Sequence, residues 1–398
     1  MGRPRSRVRG ERLPGQVWIL AGVGFTIAVG FGVMSPVLPV YARMFGVSSF
    51  LVGLVVSSLS ILRLATMPAS SWLMRFTGPK EMAVAGNLLV ALTTFMIGIS
   101  DSYWGVLLWR GLSGFGSAMY GVSSMALLFA AAPPLLRGRA NAVSSGGFVL
   151  GAMVGPALGG LFVAISIHAP FFFYTAALVV AAVVLQVGLP RTPAETRRVL
   201  REARTGLGDL ARDRRYRAVI LVNFTTGWQT YGVRSLLIPL FVVEVVGKPT
   251  AWAGIAFAIA ATAQAACLPL AGWGTDRLGR RFMLLVGTGL TAAMSVGFAW
   301  NKSYVVLVVM MCVYSIGASA TGSAAGAMLA DTVPPSNSSG LAGYQMAGDI
   351  GSILGPLAAG AILDVASMSW AWLAGAVLIL TATTLVWRTP KAVQPAAG

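Results

Sequence analysis

Twelve times along its 398 residues, the chain runs for about 20 mostly apolar residues before a short polar stretch interrupts it. A helix of that length crosses the roughly 30 Å hydrocarbon layer of a bilayer. The runs lie near 17–40, 50–73, 82–99, 103–130, 141–165, 169–189, 217–243, 251–274, 282–300, 303–330, 340–363 and 369–387. Backbone groups in lipid must bond within their own segment, and barrel strands would leave shorter, alternating signals, so these runs predict helices. The first run is too long, and its flank too poor in small-residue cleavage signals, for a cleaved leader.

The polar interruptions are not equal. The longest, from Arg191 to Arg217, divides the runs six and six. The predicted organisation is a basic tail (1–16), a six-helix bundle (17–189), a linker (190–216), a second six-helix bundle (217–387) and a second tail (388–398). Within the linker, Glu195–Arg204 has the pattern of a basic amphipathic helix lying on a membrane surface. The two halves repeat at an offset of 200 or 201 residues. Pro39 matches Pro239, Gly53 and Pro68 match Gly254 and Pro269, Gly116 matches Gly317, and Gly155-Pro156 matches Gly355-Pro356. An even number of spans per half makes this a parallel repeat, the plan of rocking transporters with a site between the halves. The fold class is therefore an all-α membrane protein, twelve helices in two pseudo-symmetric six-helix bundles.

Composition narrows this further. Apolar residues make up 56% and charged residues 10%, too few charges for a soluble surface. The net charge of +17 suggests nucleic acid until the basic residues are placed. With the N-terminus inside, 23 of the 29 fall in the tails, the linker and the inner loops, and three in the outer loops. That asymmetry predicts a cell-membrane protein with both termini cytoplasmic. Arg63, Arg110 and Arg234 alone lie within spans. Cys267, Cys312 and the single histidine, His168, do not make a metal site. The cysteines are expected to pack as small apolar residues and His168 to be a solvated loop residue.

Four motifs carry chemistry. Between spans 8 and 9 stands Gly272-Trp-Gly-Thr-Asp276-Arg277-Leu-Gly279-Arg280-Arg281. Span 4 holds Arg110-Gly111-Leu-Ser113-Gly114-Phe-Gly116. Span 5 holds Gly147-x-x-x-Gly151-x-x-x-Gly155-Pro156-x-x-Gly159-Gly160, a smooth face broken by a proline. Span 1 holds Gly30-x-Gly32-x-x-x-Pro36-x-x-Pro39. Together they resemble the major facilitator superfamily over essentially the whole chain, and most closely its twelve-span drug:proton antiporter branch.

The resemblance implies that the loop after span 8 is an inner gate latching the halves. Asp276 would face a helix N-terminus or an arginine, and Asp331 would partner Arg280 or Arg281. The competing reading makes these basic residues topology anchors only. The first half departs from the pattern, with Arg75 at the place of Asp276 and Ala130 at that of Asp331. Arg110 is linked by resemblance to proton coupling, while its nearness to the outer end also allows snorkelling. The span 5 motif is the feature that speaks for export.

One acidic residue, Asp349, lies deep in a span. In this family, spans 2 and 11 are neighbours across the interface between halves, so Arg63 and Asp349 are expected to pair. The pair is either a proton-sensitive switch or a static aid to insertion. Spans 1, 4, 7 and 10 line the cavity in this family, which nominates Tyr120, Ser124, Asn223, Trp228, Gln229, Tyr231, Arg234 and Tyr314 as substrate contacts. No deep carboxylate faces that cavity, so neutral, zwitterionic or anionic amphiphiles are expected over cations. The expected function is proton-coupled export of small amphipathic compounds by alternating access. A sugar or metabolite transporter of the same fold is the alternative. No enzyme activity, cofactor, metal or nucleic acid is expected. The expected partners are a small-molecule substrate, protons and the lipid bilayer, with the protein a monomer.

Overall fold

The structure is a computed structural model that describes residues 13–133, 136–190, 213–333 and 338–388. Both tails and most of the linker, including the amphipathic segment expected at Glu195–Arg204, lie outside the described residues. Among the described residues there is no strand, and twelve spanning helices follow in order. Helix α1 is Gly15–Met34, carried on by the short helix Leu38–Arg43; α2 is Ser49–Thr77, α3 Pro79–Gly98, α4 Tyr103–Ala131, α5 Arg137–Ile165 and α6 Ala169–Gly188. Helix α7 comes in four pieces: Arg214–Thr226, a π turn at Gly227–Val233, Arg234–Leu240 and a second π turn at Phe241–Val245. Then come α8 (Ala251–Arg277), α9 (Arg280–Phe298), α10 (Tyr304–Thr332), α11 (Ser338–Val365) and α12 (Met368–Trp387). Ten of the twelve are long and apolar enough on their own to cross a membrane. The other two, α4 and α7, carry Arg110 and Arg234 among small polar residues.

The helices form two compact units. One holds the described residues within 1–35 and 61–203; the other holds those within 36–60 and 204–398. The boundary falls inside α1 and α2 because residues 36–60 make specific contacts with the second unit. A Cβ on Gly53 would sit 2.3 Å from the Pro356 carbonyl oxygen, and one on Gly360 2.4 Å from that of Ser49. The hydroxyl of Ser57 donates to the Ile353 carbonyl at 2.7 Å. Asp364, in the last turn of α11, accepts from the backbone N–H groups of Ser49 (2.7 Å) and Phe50 (2.9 Å). A carboxylate thus caps the N-terminus of α2 and offsets its partial positive charge.

Within each unit the packing repeats. Helix α1 packs on α5 and α6, and α3 on α4 and α6; likewise α7 packs on α11 and α12, and α9 on α10 and α12. Matching residues fill matching cores. Ala83, Leu127, Leu128, Ala181 and Leu185 are buried together in the first unit. Leu284, Met328, Leu329, Ala382 and Val386 are buried together in the second. The turns entering α3 and α9 use Gly78 at φ 90° and Gly279 at φ 94°, backbone angles that only glycine adopts without strain.

Candidate functional site

The span 5 motif is the clearest piece of built chemistry. A Cβ on Gly147, Gly151, Gly155 or Gly159 would lie 2.3–2.7 Å from the carbonyl oxygen of Ala21, Phe25, Val29 or Val33, in that order. Glycine every fourth residue therefore brings the α5 backbone directly onto α1. Pro156 packs there too, its Cδ 2.9 Å from where a Cβ on Gly32 would lie, and Gly160 is buried. In the second unit Gly351 and Gly355 meet the Phe224 and Trp228 carbonyls in the same way.

The two glycine faces also reveal what α7 does differently. On α1, Gly155 touches Val29 and the Gly155-Pro156 step touches Gly32; on α7 the corresponding contacts are Trp228 and Gly232. Three residues separate the first pair and four the second. The π turn Gly227–Val233 absorbs that extra residue. A second extra residue separates Phe241 from the Gly247 turn (φ 70°), compared with Tyr41 and the Gly46 turn (φ 71°). The π turn Phe241–Val245 absorbs it. These two insertions raise the repeat offset from 199 at Val29 and Trp228 to 201 at Gly46 and Gly247.

At the α8–α9 turn, Arg280 forms an ion pair with Asp331 of α10. Arg281 donates to the Trp387 carbonyl at the end of α12. Its counterpart Lys80 donates to the Leu189 carbonyl at the end of α6, at 2.5 Å. In both units a basic residue after the turn thus satisfies an orphan carbonyl at the last helix's C-terminus. Arg277 stacks on Trp273 at 5.3 Å, and Gly272 is half-buried. Asp276 is exposed. Asp331 is the acid that pairs with Arg280.

Arg110 is 5% exposed in α4, and its Nε has no hydrogen-bond partner among the described residues. One turn on, Ser113 and Thr93 share a 2.7 Å hydrogen bond. Tyr120 and Ser124 are half-buried further along α4. In α7, Asn223 donates to the Tyr344 carbonyl at 2.6 Å, tying α7 to α11. Gln229 is fully buried: its amide nitrogen donates to Ser295 of α9 at 2.9 Å, and its oxygen lies where a side chain on Gly375 would be. It therefore faces into its own bundle. The indole N–H of Trp228 is buried without a partner among the described residues, and Tyr231 is exposed. Tyr314 is buried, hydrogen-bonded to Thr230 at 2.9 Å and stacked by Arg234. Arg63 and Asp349 are both half-buried and belong to different units. Cys267 and Cys312 are half-buried and free. His168 is not a simple solvated residue, because its Nδ1 lies 2.8 Å from the Gly98 carbonyl.

Two polar contacts escaped sequence reasoning. Arg43 pairs with Glu244 at 3.0 Å and also donates to the Val47 carbonyl at 2.7 Å. Counted back from the Gly46 and Gly247 turns, these are matching positions of the repeat carrying opposite charges. That coincidence was a readable signal. The Asp364 cap had a weaker one: an acid at a helix C-terminus, where its own helix disfavours it.

A family model of the Major Facilitator Superfamily matches residues 20–300 and 220–397. The chain belongs to that superfamily, a class of membrane transporters. Among curated proteins it is similar to the Quinolone resistance protein NorA of Staphylococcus aureus (strain MRSA252), 27% identical over 182 residues, 45% of this chain and 46% of that protein. It is also similar to Multidrug resistance protein 2 of Bacillus subtilis (strain 168), 29% identical over 162 residues, 40% of each. The chain thus matches about half the length of these relatives. Two solved structures share its fold. One is a bacterial homolog of the human lysosomal transporter Spinster, inward-facing and unoccupied, with TM-score 0.76, 16% identity, and 94% of this chain and 96% of that one covered. The other is the nucleoside transporter NupG, with TM-score 0.75, 15% identity and 94% and 99% covered.

Proposed function

We propose that the protein exports small amphipathic organic compounds, neutral or anionic in preference, by alternating access coupled to inward proton flow. The observation that carries this reading is α5, whose Gly-x-x-x-Gly-Pro face lies backbone to backbone on α1 over four contacts. In the antiporter branch that the sequence resembles, this face marks export. The two curated relatives, named for quinolone and multidrug resistance, support the same direction. In this scheme Asp349 takes up and releases the proton, Arg63 is the cation that its charged form offsets, and Arg110 assists the coupling. The protein would sit in the cell membrane with both termini cytoplasmic, its α8–α9 turn acting as an inner gate.

The test is transport into inverted membrane vesicles under an imposed pH gradient, with a panel of labelled neutral, anionic and cationic amphiphiles. Gradient-dependent uptake of neutral and anionic compounds is expected, and Asp349→Asn should abolish the gradient dependence. Equal uptake of cations would sink the charge preference, and intact coupling in Asp349→Asn would remove that residue from the scheme. Exchanging the charges as Arg63→Asp with Asp349→Arg should restore folding lost in either single variant if the two pair.

A further inference from the structure

Arg234 is the first residue after the π turn Gly227–Val233, and Tyr314, Phe257, Ser315 and Thr230 around it belong to the second unit. The guanidinium carbon stands 5.2 Å from the ring centre of Tyr314 and 5.5 Å from that of Phe257. Nη1 donates to the Ser315 hydroxyl through a long 3.4 Å bond. Nε is buried with no partner among the described residues. The Tyr314 hydroxyl is fixed by Thr230 at 2.9 Å. Among the described residues no carboxylate pairs with this guanidinium. A cation inside a membrane helix normally meets an acid or reaches the interface. Here two aromatic faces offset part of its desolvation, and Nε is left without a partner among the described residues.

The repeat provides an internal comparison. The matching positions of the first half are Met34 for Arg234, Val56 for Phe257, Ser113 for Tyr314 and Gly114 for Ser315. At these matching positions the first half has neither a cation nor its rings, and its own buried cation, Arg110, stands one turn before Ser113. The cluster is an addition to α7, and it comes directly after the extra residue of the π turn, a feature that often accompanies functional sites.

We propose that the Arg234 cluster is a carboxylate-recognition subsite. The carboxylate of an amphipathic substrate accepts an N–H bond from the unpartnered Nε, and its apolar body lies against the neighbouring aromatic surface. The subsite deepens the export reading above and rests on it for the identity of the ligand as cargo.

The test uses 2-naphthoate and its methyl ester, nearly the same shape with and without the charge. Each is titrated into the purified full-length chain at neutral pH, and binding is read from the shift in melting temperature. The acid is expected to bind about tenfold more tightly than the ester, the size of one charged hydrogen bond. Arg234→Met, which installs the first half's residue, should equalise the two. Arg234→Lys, a point charge without the fork, should weaken the acid several-fold and leave the ester unchanged, and it carries the test if the methionine variant does not fold. Equal binding of acid and ester by the unaltered chain, no binding of either, or a preference that survives in both variants overturns the proposal. The vesicle assay with the same two compounds separates it from the export reading. A binding preference without transport sinks export alone, and ester transport without an Arg234-dependent preference sinks the subsite alone.

Discussion

Gly155 shows how much a single missing side chain decides. Its Cβ would fall 2.4 Å from the Val29 carbonyl oxygen, against backbone that has nowhere to go. Gly146, on the same helix, has nothing within 4 Å. Gly155→Ala is therefore expected to cost about 1–3 kcal/mol through overpacking. Gly146→Ala should leave the melting temperature unchanged or raise it slightly, since alanine is favoured by about 1 kcal/mol in a helix interior. Thermal unfolding of the two purified variants measures the contrast, and equal losses would mean that the close packing on α1 is not what the glycines serve. The spacing of these glycines is legible in the sequence, but their counterpart is not. Phe25, Val29 and Val33 look like ordinary apolar residues, and the atoms that matter are their carbonyl oxygens. Lys80 and Arg281 teach the same lesson, because a count of basic residues reads them as topology markers while their bonds go to the last carbonyls of α6 and α12.

At the scale of the element, α7 is where the repeat is broken on purpose. The sequence contains the evidence, an offset that rises from 200 at Pro39 and Pro239 to 201 at Gly53 and Gly254, but periodicity alone cannot say whether a loop or a helix absorbs the extra residue. In α7 both insertions are taken up inside the helix as π turns. The second sets the direction of Glu244, because one residue more or less in a helix turns everything beyond it by about 100°. Arg43 and Glu244 are each more than a third exposed, so their coupling in a double-mutant cycle should be about 0.2–1 kcal/mol. Deleting Val243 restores a regular helix and should bring that coupling to zero. A coupling that survives the deletion would show that the pair does not depend on the π turn. The helices themselves were legible, and so was their order, because a bilayer allows few alternatives to a 20-residue apolar run.

For the whole molecule, hydrophobicity and charge answer different questions. Hydrophobicity fixes how many times the chain crosses, and the twelve runs of the sequence reappear as twelve helices. It cannot place the boundary between compact units, which falls within α1 and α2 because of side-chain contacts such as the Asp364 cap. The charge asymmetry instead predicts which face is which. Leu278 in the α8–α9 turn and Lys302 in the α9–α10 connection are both exposed and lie at opposite ends of α9. With Cys267 and Cys312 replaced by alanine, Lys302→Cys in intact cells should react with a membrane-impermeant maleimide, and Leu278→Cys should not. In inverted vesicles the pattern should reverse. The opposite result would place the 23 basic residues of the tails, linker and inner loops outside the cell. The direction of proton flow and of export assigned to the two faces would then have to be exchanged, while the helix packing would stand unchanged. Orientation is a property of the chain's charges in a membrane, and the fold carries no record of it.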